Sequence, residues 1–210
     1  MIKAVLFDFD GTLINTNELI FTSYQHAFRT VLGREITKKE IQSLYGRPLY
    51  SSLSVYGEHQ DDLYSVYREY NAIHHDAMIQ KFDGASEGVR ALRRQGKQLA
   101  VVTSKRFVTL QKGLEFLEIA DCFDVLITPD DTDKHKPDPM PVQLACDRLN
   151  VPPEQAVMVG DSIFDFQSAR AAGAQLAAVT YSTTLDDILA YRPEYVVNSV
   201  LELADKLESA

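Results

Sequence analysis

The chain has 210 residues, of which 45% are hydrophobic and 24% charged, and its formal net charge at pH 7 is −9. This length and composition predict a folded globular protein with one substantial core and room for a second small module. The negative charge, without a dense lysine and arginine cluster, disfavours nucleic acid as a partner, and the lack of a long apolar run disfavours the membrane.

The start of the chain and its cysteines indicate the compartment. Residues 1–7, which are apolar except for Lys3, are followed by the acidic Asp8, which fits neither a signal peptide nor a spanning helix. Cys122 and Cys146 are the only cysteines, and each has apolar neighbours, which favours reduced packing residues over a disulfide framework or a metal site. We expect a cytoplasmic protein that is a monomer or a homodimer.

Five short apolar runs predict buried strands, and helical patterns lie between most of them. The strands are expected at 4–7, 99–103, 124–128, 156–160 and 176–180, with a weaker sixth at 195–197. The helices are expected at 87–95, 108–117, 141–149 and 164–172, and Gly173 stands where the last one needs a C-cap. Strands that alternate with helices predict an α/β fold, a Rossmann-like parallel sheet with helices on both faces.

Residues 16–81 break this alternation, because they hold helical patterns and no apolar run typical of a strand. Within them, Thr37 and Glu40 match a capping box that opens a short helix ending near Gly46. We therefore predict an all-helical cap domain at 16–81, inserted into a catalytic core made of 1–15 and 82–210. The expected hinges are 14–16 and 82–84.

Ligands of an open parallel sheet bind beyond the carboxyl ends of its strands. Four of the predicted strand ends carry charged or hydroxyl side chains, and we expect them to meet in one site. The residues concerned are Asp8, Asp10, Thr103, Ser104, Lys105, Lys136, Asp161 and Asp165.

The first of these segments sets two carboxylates, Asp8 and Asp10, two residues apart before a glycine that permits a sharp turn. One carboxylate can attack a substrate while the other transfers protons. A solvated acidic turn and a calcium loop are the alternatives, although Gly11 lies two positions too early for the glycine of an EF-hand.

The other segments supply a cation, hydroxyls and further carboxylates. Lys136 precedes a rigid Pro-Asp-Pro sequence and provides the positive charge that a carboxylate needs to approach an anionic phosphate; an ordinary exposed lysine is the alternative. Thr103 offers a hydroxyl and Ser104 a backbone N–H to a phosphate oxygen, although most threonines at strand ends are simply strand residues. Asp161 and Asp165 are either metal-site carboxylates or acids favoured at a helix N-terminus.

These motifs, in this order, resemble those of the haloacid dehalogenase superfamily of phosphatases. They are Asp-Phe-Asp-Gly-Thr at 8–12, Val-Val-Thr-Ser at 101–104, Lys-Pro-Asp-Pro at 136–139 and Gly-Asp-Ser-Ile-Phe-Asp at 160–165. The resemblance spans essentially the whole chain, and the helical insert is similar to the small α-helical cap of that superfamily. It implies that Asp8 is a nucleophile that becomes phosphorylated, and that Asp10 protonates the leaving group and then deprotonates the hydrolytic water.

The resemblance also implies Mg²⁺ as the cofactor, bound by the Asp8 side chain, the Asp10 carbonyl and Asp161, with Asp165 in the second coordination sphere. Thr103 and Lys136 would then hold the phosphoryl group. Breaking a carbon–halogen bond needs neither a proton donor nor a metal, so the presence of Asp10 disfavours the dehalogenases that name the superfamily.

The substrate is expected to be a small phosphorylated molecule selected by the cap. The sequence resembles two subgroups, the phosphoglycolate phosphatases and the bacterial inorganic pyrophosphatases associated with HPr dephosphorylation. The runs at 13–20 and 136–142, together with Asp130 and Asp131, resemble the pyrophosphatases more, although Asn15 stands where an Asp is common in both. Arg47 in the cap is a candidate for a second anionic group or simply an exposed arginine, and Lys105 either faces the cleft or caps the following helix.

Two alternatives of another class stay open. One is a mutase, in which the phosphoenzyme passes its phosphate to a sugar, although the cap holds no sugar-phosphate signature. The other is a non-catalytic phosphate-binding regulatory module, which the intact catalytic set disfavours.

Overall fold

The computed structural model describes residues 1–44 and 48–208, which form eight strands and ten α-helices. The strands are β1 (Ala4–Phe7), β2 (Ile14–Asn15), β3 (Gln80–Lys81), β4 (Gln98–Val102), β5 (Val125–Ile127), β6 (Ala156–Gly160), β7 (Gln175–Val179) and β8 (Tyr195–Val197). The helices are α1 (Asn17–Leu32), α2 (Lys38–Leu44), α3 (Leu49–Ser52), α4 (Gln60–Met78), α5 (Ala85–Arg94), α6 (Phe107–Phe116), α7 (Met140–Leu149), α8 (Ile163–Ala172), α9 (Leu185–Leu189) and α10 (Val200–Glu208).

Six strands form one parallel sheet in the order β5-β4-β1-β6-β7-β8, so that β1 pairs with β4 on one side and β6 on the other. The chain first builds the sheet outward from β1 through β4 to β5, and then returns to the far side of β1 with β6. The strand order therefore reverses at β1, and this reversal is where parallel sheets bind ligands. The predicted α/β class and all six predicted strands are confirmed, with boundaries that differ by one residue at most.

Alternate residues of β1 face opposite sides of the sheet and enter two separate apolar cores. Val5 and Phe7 pack with residues of α5, α6 and α10, whereas Ala4 and Leu6 pack with residues of α7, α8 and α9. Both faces of the sheet are covered by helices, as the sequence predicts. Gly173 ends α8 in the left-handed conformation, with φ of 90°, and confirms the predicted C-cap.

Helices α1–α4, which we call the cap, have a third apolar core of their own, centred on Tyr24, Phe28 and Leu63. The predicted capping box is present at the start of α2: the Thr37 backbone N–H donates to Glu40 Oε2 at 2.9 Å, and the Glu40 N–H donates to Thr37 Oγ1 at 3.2 Å. The predicted helix end near Gly46 lies outside the described residues. The division of the chain at 16–81 stays a prediction.

The expectation that 16–81 holds no strand is wrong at its last two residues. Gln80–Lys81 forms β3, which pairs antiparallel with Ile14–Asn15. A strand of two residues has no side-chain alternation, so the sequence carries no periodic signal for it. This ribbon pairs residues of the first predicted hinge, 14–16, with the two residues that precede the second, 82–84.

None of the helices in the described part of the chain combines the length and the apolar character needed to cross a bilayer.

Helix α6 packs closely against the segment that follows β1, which makes Gly113 sensitive to substitution. A Cβ atom added at Gly113 would lie 2.6 Å from ring atoms of Phe9, and this ring is fully buried. A glycine in a helix interior usually makes the folded protein less stable than an alanine would, by about 0.5–1 kcal/mol. Here we predict the opposite sign: Gly113→Ala lowers the free energy of unfolding by about 1–3 kcal/mol, because the buried ring must shift.

Urea unfolding of Gly113→Ala and of Gln111→Ala checks this prediction. Gln111 is exposed on the same helix, and its substitution should change the free energy of unfolding by no more than about 0.5 kcal/mol. A stabilised Gly113→Ala protein would contradict the packing described for Phe9.

Candidate active site

The carboxylate of Asp8 lies directly beyond the central strand of the sheet. The Asp8 N–H still donates to the Val159 carbonyl at 2.9 Å, so the backbone of Asp8 is held by the neighbouring strand. The chain then turns at Gly11, whose φ of 82° lies in the left-handed region that favours glycine. The Phe9 carbonyl accepts from the N–H groups of residues 12–14. The side chain of Asp8 is therefore presented from a rigid backbone.

Lys136 lies deep in the site and is only 4% exposed. Its ammonium donates to Asp8 Oδ1 at 2.8 Å, to Asp165 Oδ1 at 2.6 Å and to the Val102 carbonyl at 3.0 Å. An ammonium has three protons, and each of them has an acceptor here. Burial lowers the pKa of Lys136, but the charges of Asp165 and Asp8 outweigh it, so the pKa is raised and the lysine stays charged. The alternative of an exposed lysine is wrong.

Asp165 uses both of its carboxylate oxygens within the protein. Oδ1 accepts from Lys136, and Oδ2 accepts from the Ser162 N–H at 3.1 Å and from the Ser162 hydroxyl at 2.7 Å. The Asp165 N–H returns a bond of 3.4 Å to Ser162 Oγ, which completes a capping box at the start of α8. The interpretation of Asp165 as a helix-capping acid is confirmed, and the same side chain also holds Lys136.

Asp161 is held by two loops. Thr12 Oγ1 donates to Asp161 Oδ1 at 3.3 Å, and the Asp161 carbonyl accepts from Ser182 Oγ at 2.6 Å and Thr184 Oγ1 at 3.0 Å. Tyr181 links the two loops, because its hydroxyl donates to the Thr12 carbonyl at 2.6 Å. The segment after β7 thus fixes Asp161 relative to the turn that follows Asp8.

Carboxylate oxygens of Asp8, Asp161 and Asp165 lie within 4.8 Å of one another, and all three residues are buried. Burial raises the pKa of Asp8 to about 7, although Lys136 opposes this shift. Burial, together with the charges of Asp8 and Asp165, raises the pKa of Asp161 well above its usual range. One ammonium cannot balance three carboxylates, so the site has excess negative charge.

This donor set suits a small divalent cation. Mg²⁺ prefers oxygen ligands and typically takes one or two carboxylates together with water and phosphate oxygens. The oxygens of Asp165 are already bonded to Lys136 and Ser162, which leaves Asp8 and Asp161 to contact a metal. A divalent cation would also compensate the excess negative charge. The residues present therefore fit Mg²⁺.

A cleft of 410 Å³ lies between the core and the cap beside this cluster. On the core side it is lined by Asp8, Asp10, Thr103, Ser104 and Lys105. On the cap side it is lined by residues that include Tyr24, Tyr64, Tyr67, Arg68 and Asn71. The predicted residues at the ends of β1 and β4 thus share one cavity. Arg47, the cap candidate for a second anionic group, lies outside the described residues.

Lys105 faces the cleft, which is one of the two positions predicted for it from the sequence. Its ammonium contacts both oxygens of Asp10, at 2.9 and 3.2 Å, and Thr16 Oγ1 donates to the same carboxylate at 2.9 Å. The Lys105 N–H also donates to Thr103 Oγ1 at 3.1 Å. Asp10 is therefore held by Thr16, in the first predicted hinge, and by Lys105, in the loop after β4.

Sequence reasoning missed two sets of lining or supporting residues. Ser182 and Thr184 lie two and four residues after the fifth predicted strand, so the rule that selected the other strand ends would have found them. Tyr24 and Arg68 lie on cap helices, and spacing along a helix does not say which polar side chain turns toward the core domain.

A family model described as "Haloacid dehalogenase-like hydrolase" matches residues 5–179. The "Putative pyrophosphatase PpaX" of Clostridium perfringens (strain 13 / Type A) is 40% identical over 99% of this chain and 98% of its own length. The "Pyrophosphatase PpaX" of Halalkalibacterium halodurans is 37% identical over 97% of this chain and 96% of its own length. Among solved structures, a "putative phosphoglycolate phosphatase" of Lactobacillus plantarum superposes with a TM-score of 0.85 at 26% identity, over 98% of this chain and 99% of that one.

The raised pKa of Asp8 predicts how the free energy of unfolding of the metal-free protein depends on pH. The carboxyl titrates at about 7 in the folded protein but has a reference pKa of 3.8, so folding takes up a proton between these values. The contribution of Asp8 to the free energy of unfolding is fully present below about pH 4 and is lost as the pH rises through about 7. Asp8→Asn cannot ionise, so we predict that at pH 8 it is more stable than the wild type by about 1–4 kcal/mol.

Denaturant unfolding of both metal-free proteins between pH 5 and 9 checks this prediction, and the advantage of Asp8→Asn should shrink as the pH falls below about 7. Saturating Mg²⁺ is the control, because it should stabilise the wild type more than the variant. An Asp8→Asn protein that is less stable than the wild type at pH 8 without metal would contradict the description of the buried carboxylates.

Proposed function

Because the chain belongs to the haloacid dehalogenase-like hydrolases and is a phosphatase, we propose that it hydrolyses inorganic pyrophosphate with Mg²⁺ through a phosphorylated Asp8. The observation that carries this proposal is the buried ion pair between Lys136 and Asp8, of which Asp8 lines the cleft. It combines a fixed carboxylate that can act as nucleophile with a nearby positive charge that lowers its repulsion from an incoming phosphate.

Asp8 attacks the nearer phosphorus in our proposal, a bond forms between its Oδ and that phosphorus, and the bond to the bridging oxygen breaks. Lys136 is charged and lies 2.8 Å from Asp8, so it lowers the repulsion between the carboxylate and the phosphate. Asp165 keeps Lys136 in position through the 2.6 Å bond. Water then attacks the phosphorus of the acyl phosphate and regenerates Asp8.

Asp10 is our proposed acid and base. It lies two residues from the nucleophile, lines the cleft and is held by Lys105 and Thr16. It gives a proton to the leaving phosphate in the first step and takes a proton from the attacking water in the second, so the proton balance closes over one turnover.

Thr103 and Ser104 are our proposed contacts to the transferred phosphoryl group, together with Lys136. Thr103 Oγ1 accepts a bond from the Lys105 N–H, which leaves its own proton for donation to a phosphate oxygen. Ser104 follows in the lining of the cleft and offers its backbone N–H.

We propose that Mg²⁺ is held by the Asp8 side chain, the Asp10 carbonyl and Asp161, with Asp165 in the second coordination sphere. When bound, the metal neutralises charge on the phosphate and orients it. The closeness of the buried carboxylates supports this assignment. Thr12, Ser182 and Thr184 then act as supports that keep Asp161 in place.

Pyrophosphate is favoured over 2-phosphoglycolate because relatives named as pyrophosphatases are 36–40% identical to the chain over nearly its whole length. The solved structure named as a phosphoglycolate phosphatase is 26% identical, and 2-phosphoglycolate is the second candidate. A phosphosugar mutase and a non-catalytic regulatory module are weaker alternatives, which the experiment below also tests.

The cap domain at 16–81 is part of this proposal, since its separate apolar core and the ribbon at its base suit a unit that covers the substrate. We also propose a cytoplasmic location, because Cys122 and Cys146 are both free, buried thiols, as expected in a reducing compartment.

The experiment that tests the function measures phosphate release with Mg²⁺ from pyrophosphate, 2-phosphoglycolate and a sugar phosphate. We predict the highest kcat/KM for pyrophosphate. Asp8→Asn should release no phosphate from any of them, because it lacks the nucleophile.

A preference for 2-phosphoglycolate would contradict the substrate and leave the reaction class standing. Transfer of phosphate to a sugar in place of release would favour the mutase. Equal release by the wild type and Asp8→Asn would contradict the phosphatase mechanism and favour the regulatory module.

A further inference from the structure

We propose that Arg68 on cap helix α4 binds the anionic leaving group of the substrate, so that the cleft selects small phosphate compounds whose leaving group carries its own negative charge. This inference rests on the proposed function and adds a residue that discriminates between substrates. Three observations support it: the face that α4 turns toward the cleft, the ion pairs of the other cations, and the side of the phosphorus on which the leaving group departs.

One face of α4 forms the cap wall of the cleft. The lining residues of this helix are Tyr64, Tyr67, Arg68, Asn71 and Ala72. They are spaced by three and four residues, which places them on one side of the helix. Leu63, by contrast, is fully buried in the apolar core of the cap. The side of α4 that carries Arg68 therefore faces the cavity that Asp8 lines from the other wall.

Among the described cations that line the cleft, Arg68 and Arg106 have no carboxylate partner; Arg106 is exposed to solvent, whereas Arg68 is half-buried. The cations at the reacting groups are paired. Lys136 is paired with Asp8 and Asp165, and Lys105 is paired with Asp10. The structure thus leaves the charge of Arg68 to be balanced by something that enters the cleft.

The guanidinium of Arg68 is held in place by a neighbouring tyrosine. Its Nη1 donates to Tyr64 Oη at 3.1 Å, and its central carbon lies 5.6 Å from the centre of the Tyr64 ring. A guanidinium has five N–H donors in a fixed plane, so this contact leaves donors for the paired oxygens of a phosphate or a carboxylate. Because the side chain is already ordered, less conformational entropy is lost when an anion binds.

The chemistry places the leaving group toward Arg68. In a phosphoryl transfer the attacking and leaving oxygens lie roughly in line on opposite sides of the phosphorus. Asp8 attacks from the core wall, so the leaving group departs toward the opposite side of the cleft, where α4 lies. For pyrophosphate that group is a phosphate, and for 2-phosphoglycolate it carries a carboxylate.

The test compares a charged with an uncharged leaving group. Wild type, Arg68→Gln, Arg68→Lys and Arg29→Gln are assayed with Mg²⁺ on pyrophosphate, 2-phosphoglycolate and p-nitrophenyl phosphate, whose leaving group carries no second anionic group. Arg29 is an exposed cap arginine paired with Glu35 and serves as the matched control.

We expect Arg68→Gln to raise KM for pyrophosphate about 10- to 100-fold, the range for one lost charged hydrogen-bonding group. The kcat/KM of this variant for p-nitrophenyl phosphate should stay within about twofold of the wild type, because the leaving group of that substrate has no anionic group for Arg68 to bind. Arg68→Lys should recover part of the loss, and Arg29→Gln should match the wild type.

Binding in the Asp8→Asn background separates this proposal from the proposed function. Calorimetric titration with pyrophosphate and Mg²⁺ should give a higher Kd when Arg68→Gln is added, whether or not the wild type turns pyrophosphate over. An unchanged Kd and KM would overturn the role of Arg68. Parallel losses for pyrophosphate and p-nitrophenyl phosphate would overturn it too, because they would show a general effect on the cleft.

Discussion

The buried ammonium of Lys136 is the constraint on which the rest of the site depends. Its three acceptors come from three neighbouring parts of the sheet: Asp8 after β1, the Val102 carbonyl at the end of β4 and Asp165 beyond β6. A buried ammonium that loses one of its acceptors is left with an unsatisfied donor, which costs free energy, so the three strand ends cannot shift independently. One ion therefore fixes the spacing between Asp8, the carboxyl end of β4 and the helix that follows β6.

The same burial that orders the site also leaves it with excess negative charge. Asp161 adds a third buried carboxylate that Lys136 does not balance, and burial raises the pKa of both Asp8 and Asp161. Such an arrangement is unfavourable for the stability of the empty protein and favourable for binding a divalent cation. The hydroxyls of Thr12, Ser182 and Thr184 hold Asp161 where this charge is needed.

The sequence predicts the core better than it predicts the contacts between the core and the cap. Buried parallel strands are continuous apolar runs, so their positions are visible, and the carboxyl ends of such strands meet at one edge. That is why Asp8, Lys136 and Asp161 could be expected together. The pairing of Lys105 with Asp10 and the turn of Arg68 toward the cleft depend on side-chain directions between distant segments, which spacing along the chain does not reveal.

The central claim is that Asp8 carries the phosphoryl group during turnover. The most direct measurement mixes Asp10→Asn with p-nitrophenyl phosphate and Mg²⁺, quenches the reaction in acid and maps the modified peptide by mass spectrometry. The good leaving group needs no protonation, while the missing base slows hydrolysis of the acyl phosphate. We predict one phosphoryl group on the peptide that contains Asp8, removed by hydroxylamine and absent when Asp8→Asn is added. Phosphate on another residue, or turnover by the wild type with no phosphoenzyme trapped in Asp10→Asn, would contradict the account.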